Sequence, residues 1–319
     1  MPLHKINGQW IHYEDTGGDI GPLVLAHGLL MDGEMFAPQI EDRRSSCRII
    51  TWDARCHGET ENTDDPFTYW DLADDLRGLL DHLGIEKAVI GGMSQGGFIA
   101  LRFALQHPER VSALLLLGTQ AGVEDPEKVA TYQVMLDVWE AEGLNEQLAE
   151  TIAAILLGNE WPGRHPWIAK WRQKPRSLLR PAFQALAGRD DIHNRLGEIN
   201  APALVIHGTA DAAIDIEVAR ELSRGLPNSR PLVAIEGGGH ASNLTHPKLV
   251  NRAVQQFIGE LLVTVPAASN GRGHARRSDA DRRLADRRDQ GRIEVLVDRR
   301  LAERRAMERR ESWRPAYGL

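Results

Sequence analysis

Cysteine is scarce in this chain. Cys47 and Cys56 are its only two, too few for a disulfide framework and without the paired spacing of a structural zinc site. A reducing compartment is the expected setting. The opening MPLHKINGQW lacks the apolar core of a signal peptide, so the expected location is cytoplasmic. Long apolar runs are missing too: stretches such as ALLLL at 113–117 are far shorter than the roughly 20 residues a helix needs to cross a bilayer. No membrane partner is expected. Lysine is absent from residues 267–319, which carry 15 arginines against 9 acids, a net +6; the remainder carries 23 basic against 36 acidic residues, a net −13. Two differently built segments share one chain.

What is present is a globular composition. With 319 residues, 42% hydrophobic and 26% charged, the chain is neither collagen-like, nor a coiled-coil rod, nor disordered throughout. LHKI, Asn7-Gly8 and QWIHY form a hairpin pattern, since Asn-Gly suits the positive φ angles of a type I′ turn. Short apolar runs follow at 23–27, 48–53, 87–92, 112–118, 203–208 and 231–237, separated by helical stretches such as TYWDLADDLRGLLDHLG, QGGFIALRFALQHP and PKLVNRAVQQFIGELL. This alternation predicts an α/β fold: a mostly parallel central sheet flanked by helices. Residues 121–200 break the pattern. They hold no convincing strand but four of the eight tryptophans, Trp139, Trp161, Trp167 and Trp171, and read as a helical insertion over one edge of the sheet. The expected division is a core of 1–120 and 201–265, the insertion at 121–200, and a tail at 266–319.

In the tail, triplets of one acid and two arginines start at 281, 286, 298, 303 and 308. A five-residue step turns a helix by roughly 500°, so successive arginine pairs share no face. This low-complexity tail, whose only apolar patch is IEVLV at 293–297, is expected to be disordered or loosely helical and to add little to the core. Its interspersed acids weigh against nucleic-acid binding, because they repel the phosphates that arginines attract.

The strongest chemical signal is Gly92-Met93-Ser94-Gln95-Gly96, a G-x-S-x-G between the apolar strand KAVI and a helix-like segment. A sharp strand-to-helix turn exposes the serine Oγ, and larger side chains two residues away on either side would collide. A serine hydroxyl needs a base to remove its proton and an acid to orient that base. Asp211, just past ALVIHG, is favoured as the acid over Asp215, which reads as a helix N-cap. His240, after PLVAIEGGG, is favoured as the base over His246, which precedes a proline and a helix. The amide of Gln95 and, from the loop His27-Gly28-Leu29-Leu30, that of Leu29 are the expected oxyanion donors. Nothing in the pattern calls for a cofactor or a metal.

These residues, in the order Ser94, Asp211, His240, resemble the α/β-hydrolase fold family over residues 1 to about 265. WDARCHGET at 52–60 is similar to that family's D-x-R-G-x-G loop at Asp53, Arg55, His57 and Gly58, with Cys56 where glycine is usual. The resemblance implies that 121–200 is a cap shaping specificity, and that Leu30, Met93, Trp139 and Trp167, with Met31, Met35 and Phe36 nearby, contribute an apolar substrate pocket. It implies a serine hydrolase of esters or lactones, of the carboxylesterase or enol-lactonase kind, with a small apolar substrate. The alternatives are a C–C bond hydrolase, a perhydrolase or haloperoxidase, a non-catalytic binding protein, or a protein acting through its tail. Oligomeric state is not legible.

Overall fold

The chain enters through the expected hairpin. Asn7 and Gly8 take φ of 49° and 89°, the left-handed pair a type I′ turn requires. They join β1 (Leu3–Ile6) to β2 (Gln9–Asp15), antiparallel partners with Ile6 opposite Gln9. The computed structural model describes residues 2–18, 21–43, 46–174 and 179–264, with side chains as far as 261. The arginine-rich tail and its IEVLV patch lie outside the described residues, and so do the expectations attached to them.

Six further strands follow: β3 (Leu23–Ala26), β4 (Ile49–Trp52), β5 (Ala88–Met93), β6 (Val111–Leu117), β7 (Ala203–Gly208) and β8 (Val233–Ile235). All coincide with the apolar runs. They form one eight-stranded sheet in the order β1-β2-β4-β3-β5-β6-β7-β8, parallel from β4 to β8 and antiparallel at the β1–β2–β4 edge. The near-continuous burial of β3, β4, β5, β6 and β7 is that of parallel strands covered on both faces. Crossovers supply the cover.

Between β3 and β4 runs α1 (Ala37–Arg43); α2 (Tyr69–His82) precedes β5, and α3 (Gln95–Gln106) follows it. Helix α2 opens on a capping box, in which the Thr68 hydroxyl and the Asp71 carboxylate each take up the other's backbone amide. Helix α3 packs against β3, β5, β6 and α2. It is buried from Gln95 to Ala104. Even Arg102, 1% exposed, is buried, and its guanidinium is bound to the Phe98 carbonyl and to Asp190 at 2.7 Å.

From β6 to β7 the chain is helical: α4 (Pro126–Glu142), α5 (Glu146–Leu157), α6 (Arg164–Gln173) and α7 (Leu179–Ala187). Residues 1–264 form one compact unit, so these helices belong to the same body as the sheet. Then come α8 (Ile216–Gly225), the single turn α9 (Ser242–Thr245), and α10 (Pro247–Thr264), which packs on α1. Among the described residues no helix is long and apolar enough to cross a membrane.

Candidate active site

Strand β5 ends at Met93 and α3 starts at Gln95, so Ser94 makes the turn alone, at φ 53° and ψ −114°. A side chain in such a conformation costs on the order of 1–3 kcal/mol and persists only where its surroundings impose it. Here the Ser94 amide donates to the Leu117 carbonyl at 2.8 Å, and its carbonyl accepts from the Gly97 amide and the Thr119 hydroxyl, each at 2.8 Å. The flanking glycines are a steric necessity. A Cβ on Gly92 would stand 2.1 Å from the Gly96 carbonyl carbon, and one on Gly96 would stand 1.9 Å from the Ala26 oxygen.

On the far side of β6, the loop after β7 carries Asp211 and the loop after β8 carries His240. The two loops nearly touch at Gly208, where a Cβ would lie 2.1 Å from the Gly238 oxygen. That approach sets His240 Nδ1 2.8 Å from Asp211 Oδ2. The other carboxylate oxygen, Oδ1, accepts the amides of Ala213 at 2.8 Å and Ile214 at 3.0 Å. A second histidine, His207, shares its Nε2 between the Ile214 carbonyl at 2.9 Å and Asp211 Oδ2 at 3.1 Å. Burial pushes the Asp211 carboxyl up, but attraction to His240 and hydrogen bonds from His207 and His240 outweigh it and hold it well below the usual range. Asp211 is a carboxylate.

Asp215 is the N-cap of α8, accepting the Glu217 amide at 2.8 Å. His246 meets the Thr245 hydroxyl at 2.9 Å, just before α10. Neither lines the cavity described below.

The amide of Leu29 has no partner among the described residues, and Gln95, first in α3, has an amide that helix geometry leaves without an intrahelical acceptor. The loop bearing Leu29 is braced from three sides. His27 Nδ1 donates to the Gly28 carbonyl at 2.8 Å, and its Nε2 accepts the Ala54 amide at 2.9 Å. His57 Nδ1 donates to the Arg55 carbonyl at 2.8 Å, and its Nε2 accepts the Leu30 amide at 3.2 Å. Burial lowers both imidazoles, which favours their neutral forms, and the partner at each nitrogen sets the tautomer. From α6, Trp171 Nε1 donates to the Leu30 carbonyl at 2.8 Å. The sequence signalled the tryptophan but not this partner.

Ser94 and His240 line one cavity of about 120 Å³, whose walls include Leu29, Leu30, Trp139 and Phe183. Two expected pocket residues are elsewhere. Met93, 1% exposed, fills the space against Gly28, because alternation along β5 turns it away from the cavity. Trp167 faces the Lys170 ammonium, 5.0 Å from its ring. Met31, Met35 and Phe36 are likewise absent from the cavity wall and are fully buried in the core.

The sequence profile of the alpha/beta hydrolase fold matches residues 21–247. The chain belongs to that family. Among its relatives are a thermophilic esterase from Thermogutta terrifontis, 28% identical with a TM-score of 0.74 over 81% of this chain and 97% of the other, and the enol-lactonase from Burkholderia xenovorans LB400, 27% identical with a TM-score of 0.74 over 81% and 100%. A candidate carbamate hydrolase, RutD, from Agrobacterium fabrum is 28% identical over 264 residues, 78% of this chain and 98% of the other.

Cys56 explains the glycine usual in the family's loop, for it sits at φ 65°. It is 1% exposed, its thiol donates to the Thr63 carbonyl at 3.4 Å, and burial pushes the thiol up. Such a thiol is inert. Asp53 organises the same loop, accepting from His12 Nδ1 at 2.8 Å and from the amides of Gly33 at 2.8 Å and Glu59 at 3.0 Å. Burial raises its carboxyl, but these hydrogen bonds, that of His12 first, outweigh burial and bring it to about 2. The folded value lies below the unfolded one, so this stabilisation is complete above pH ~4 and is lost as pH falls through ~2, a change of about 2 kcal/mol. His12 is raised, chiefly by the same hydrogen bond, so its contribution is present below the ordinary imidazole range and fades as pH climbs through the folded value. Chemical denaturation at pH ~6 and ~2.5 is expected to show wild type well above Asp53→Asn at the first pH and the gap narrowed to roughly a third at the second.

Proposed function

We propose that this protein is a serine hydrolase that cleaves a carboxylic ester or lactone through an acyl-enzyme. Ser94 Oγ attacks the carbonyl carbon while His240 Nε2 takes its proton. The amides of Leu29 and Gln95 donate to the oxyanion, and Asp211 holds the imidazolium. The intermediate collapses as His240 returns the proton to the leaving alkoxide. Water, deprotonated by the same imidazole, then releases the acid and restores Ser94.

The observation that carries this reading is a single constellation. A serine held at φ 53° at the start of a helix shares an apolar cavity with a histidine whose other ring nitrogen is 2.8 Å from a buried carboxylate. Relatives named as an esterase and an enol-lactonase support acyl transfer, while a 29% identical relative from Paraburkholderia phymatum, named as a 2-hydroxy-6-oxononadienedioate/2-hydroxy-6-oxononatrienedioate hydrolase, supports C–C bond hydrolysis as the second reading.

A series of p-nitrophenyl esters of rising chain length, run beside several lactones, tests the substrate class. With a cavity wall this apolar, kcat/KM is expected to rise about threefold per added methylene until the cavity is full. Failure to turn over any ester or lactone would overturn the reading.

A further inference from the structure

The cavity is not apolar throughout. Glu124, in the loop between β6 and α4, lines it together with Tyr132, and among the described residues in its wall there is no lysine or arginine. The Glu124 side chain is 8% exposed. A carboxylate buried this far ordinarily has its oxygens saturated with donors, because unpaired burial is costly. Glu124 has two long contacts, one from Arg189 Nη2 to Oε2 at 3.3 Å and one from the Asp125 amide to Oε1 at 3.3 Å. Two carboxylate oxygens can accept about four hydrogen bonds.

Arg189 reaches it through Nη2 alone. Its side chain has no exposed surface, and its Nε and Nη1 donate elsewhere, to the Gly122 and Leu186 carbonyls, both at 2.9 Å. Its guanidinium is stacked over the Phe98 ring at 4.4 Å. The arginine therefore cancels the charge of Glu124 without filling its acceptor sites. A neutral donor completes such a pair, a cation would lose its water without a net counter-charge, and a second carboxylate meets the acceptor-only oxygens of Glu124.

We infer that Glu124 is the specificity determinant of this cavity and selects substrates whose apolar chain carries a neutral hydrogen-bond donor, a hydroxyl or an amide N–H, remote from the scissile carbonyl, while rejecting chains that end in a carboxylate. The inference rests on the hydrolase reading for its word substrate, but the site itself is a matter of binding and is tested as such.

The full-length Ser94→Ala protein is titrated calorimetrically with three esters of equal chain length: methyl octanoate, methyl 8-hydroxyoctanoate and monomethyl octanedioate. The hydroxy ester is expected to bind about fivefold tighter than the octanoate, and the acid at least about tenfold weaker. Adding Glu124→Leu should abolish the preference for the hydroxyl. Adding Glu124→Gln, which keeps the shape but puts an amide donor where there was only an acceptor, should bring the acid to within about twofold of the octanoate. Ratios that do not move in either variant, or no binding of any ester, would overturn the assignment. Turnover of the same three esters by the native protein reads the hydrolase proposal separately: turnover with unmoved ratios removes only the role of Glu124, and moved ratios without turnover remove only the hydrolysis.

Discussion

Alanine in place of Ser94 is expected to lower kcat/KM on any ester that the native protein turns over by about 10⁴-fold or more, with the unfolding free energy changed by no more than about 1 kcal/mol. The two halves have different physical origins. In the proposed mechanism the hydroxyl forms the acyl bond, so its loss removes the covalent route and leaves only what the proposed oxyanion amides contribute. The fold does not depend on it. The turn is imposed by the backbone hydrogen bonds of Ser94 and by the close approach of Gly92 to Gly96, and alanine takes the same strained φ with the same Cβ. Steady-state kinetics beside chemical denaturation of both proteins checks this. Residual turnover above about one per cent would mean that the chemistry lies elsewhere.

Asparagine in place of Asp211 is expected to lower kcat by about 10³- to 10⁴-fold with KM changed little. Both carboxylate oxygens face donors only: Oδ1 accepts the amides of Ala213 and Ile214, and Oδ2 accepts from His240 and His207. Whichever way an asparagine is turned, its NH2 group faces N–H groups. If it faces His240, the imidazole must accept at Nδ1 and carry its proton on Nε2, the atom that has to be empty to take the proton of Ser94. If it faces the loop amides, the turn that positions Asp211 loses its acceptor, at a cost of about 1–3 kcal/mol. A kcat–KM split on one ester, with unfolding measured in parallel, separates the two. A variant with undiminished kcat would show that the 2.8 Å contact to His240 is structural.

Much of this was legible in the sequence, for reasons that are local. Asn7-Gly8 determines its own turn, β-branched and leucine runs bounded by turn residues mark the buried strands, and Gly92 is required by crowding against Gly96 within five consecutive residues, whereas Gly96 is required by the approach of the Ala26 oxygen on β3. Cys56 departs from the family's glycine, and only its φ of 65° shows what glycine is for at that position. What could not be read depends on contacts between distant segments. His207 looks like the last apolar-strand residue before a loop until β7 and the following turn bring it 3.1 Å from Asp211. Trp171 was visible as one tryptophan among four in the helical stretch, but its hydrogen bond to the Leu30 carbonyl joins residues 141 positions apart. Met93 and Trp167 were expected at the pocket because of apolar character and proximity in sequence. Strand alternation sends the first into the core, and the helix face of the second points to Lys170. Glu124 carried no signal, since an acid before a helix is ordinarily a capping residue.

Covalent trapping reads whether Ser94 is an activated nucleophile. The full-length protein is treated with a fluorophosphonate, and the intact mass and peptide map are read before and after. One adduct per chain is expected, located on Ser94, absent from Ser94→Ala and formed far more slowly in His240→Gln. An adduct on another residue, or undiminished labelling of Ser94→Ala, would contradict it.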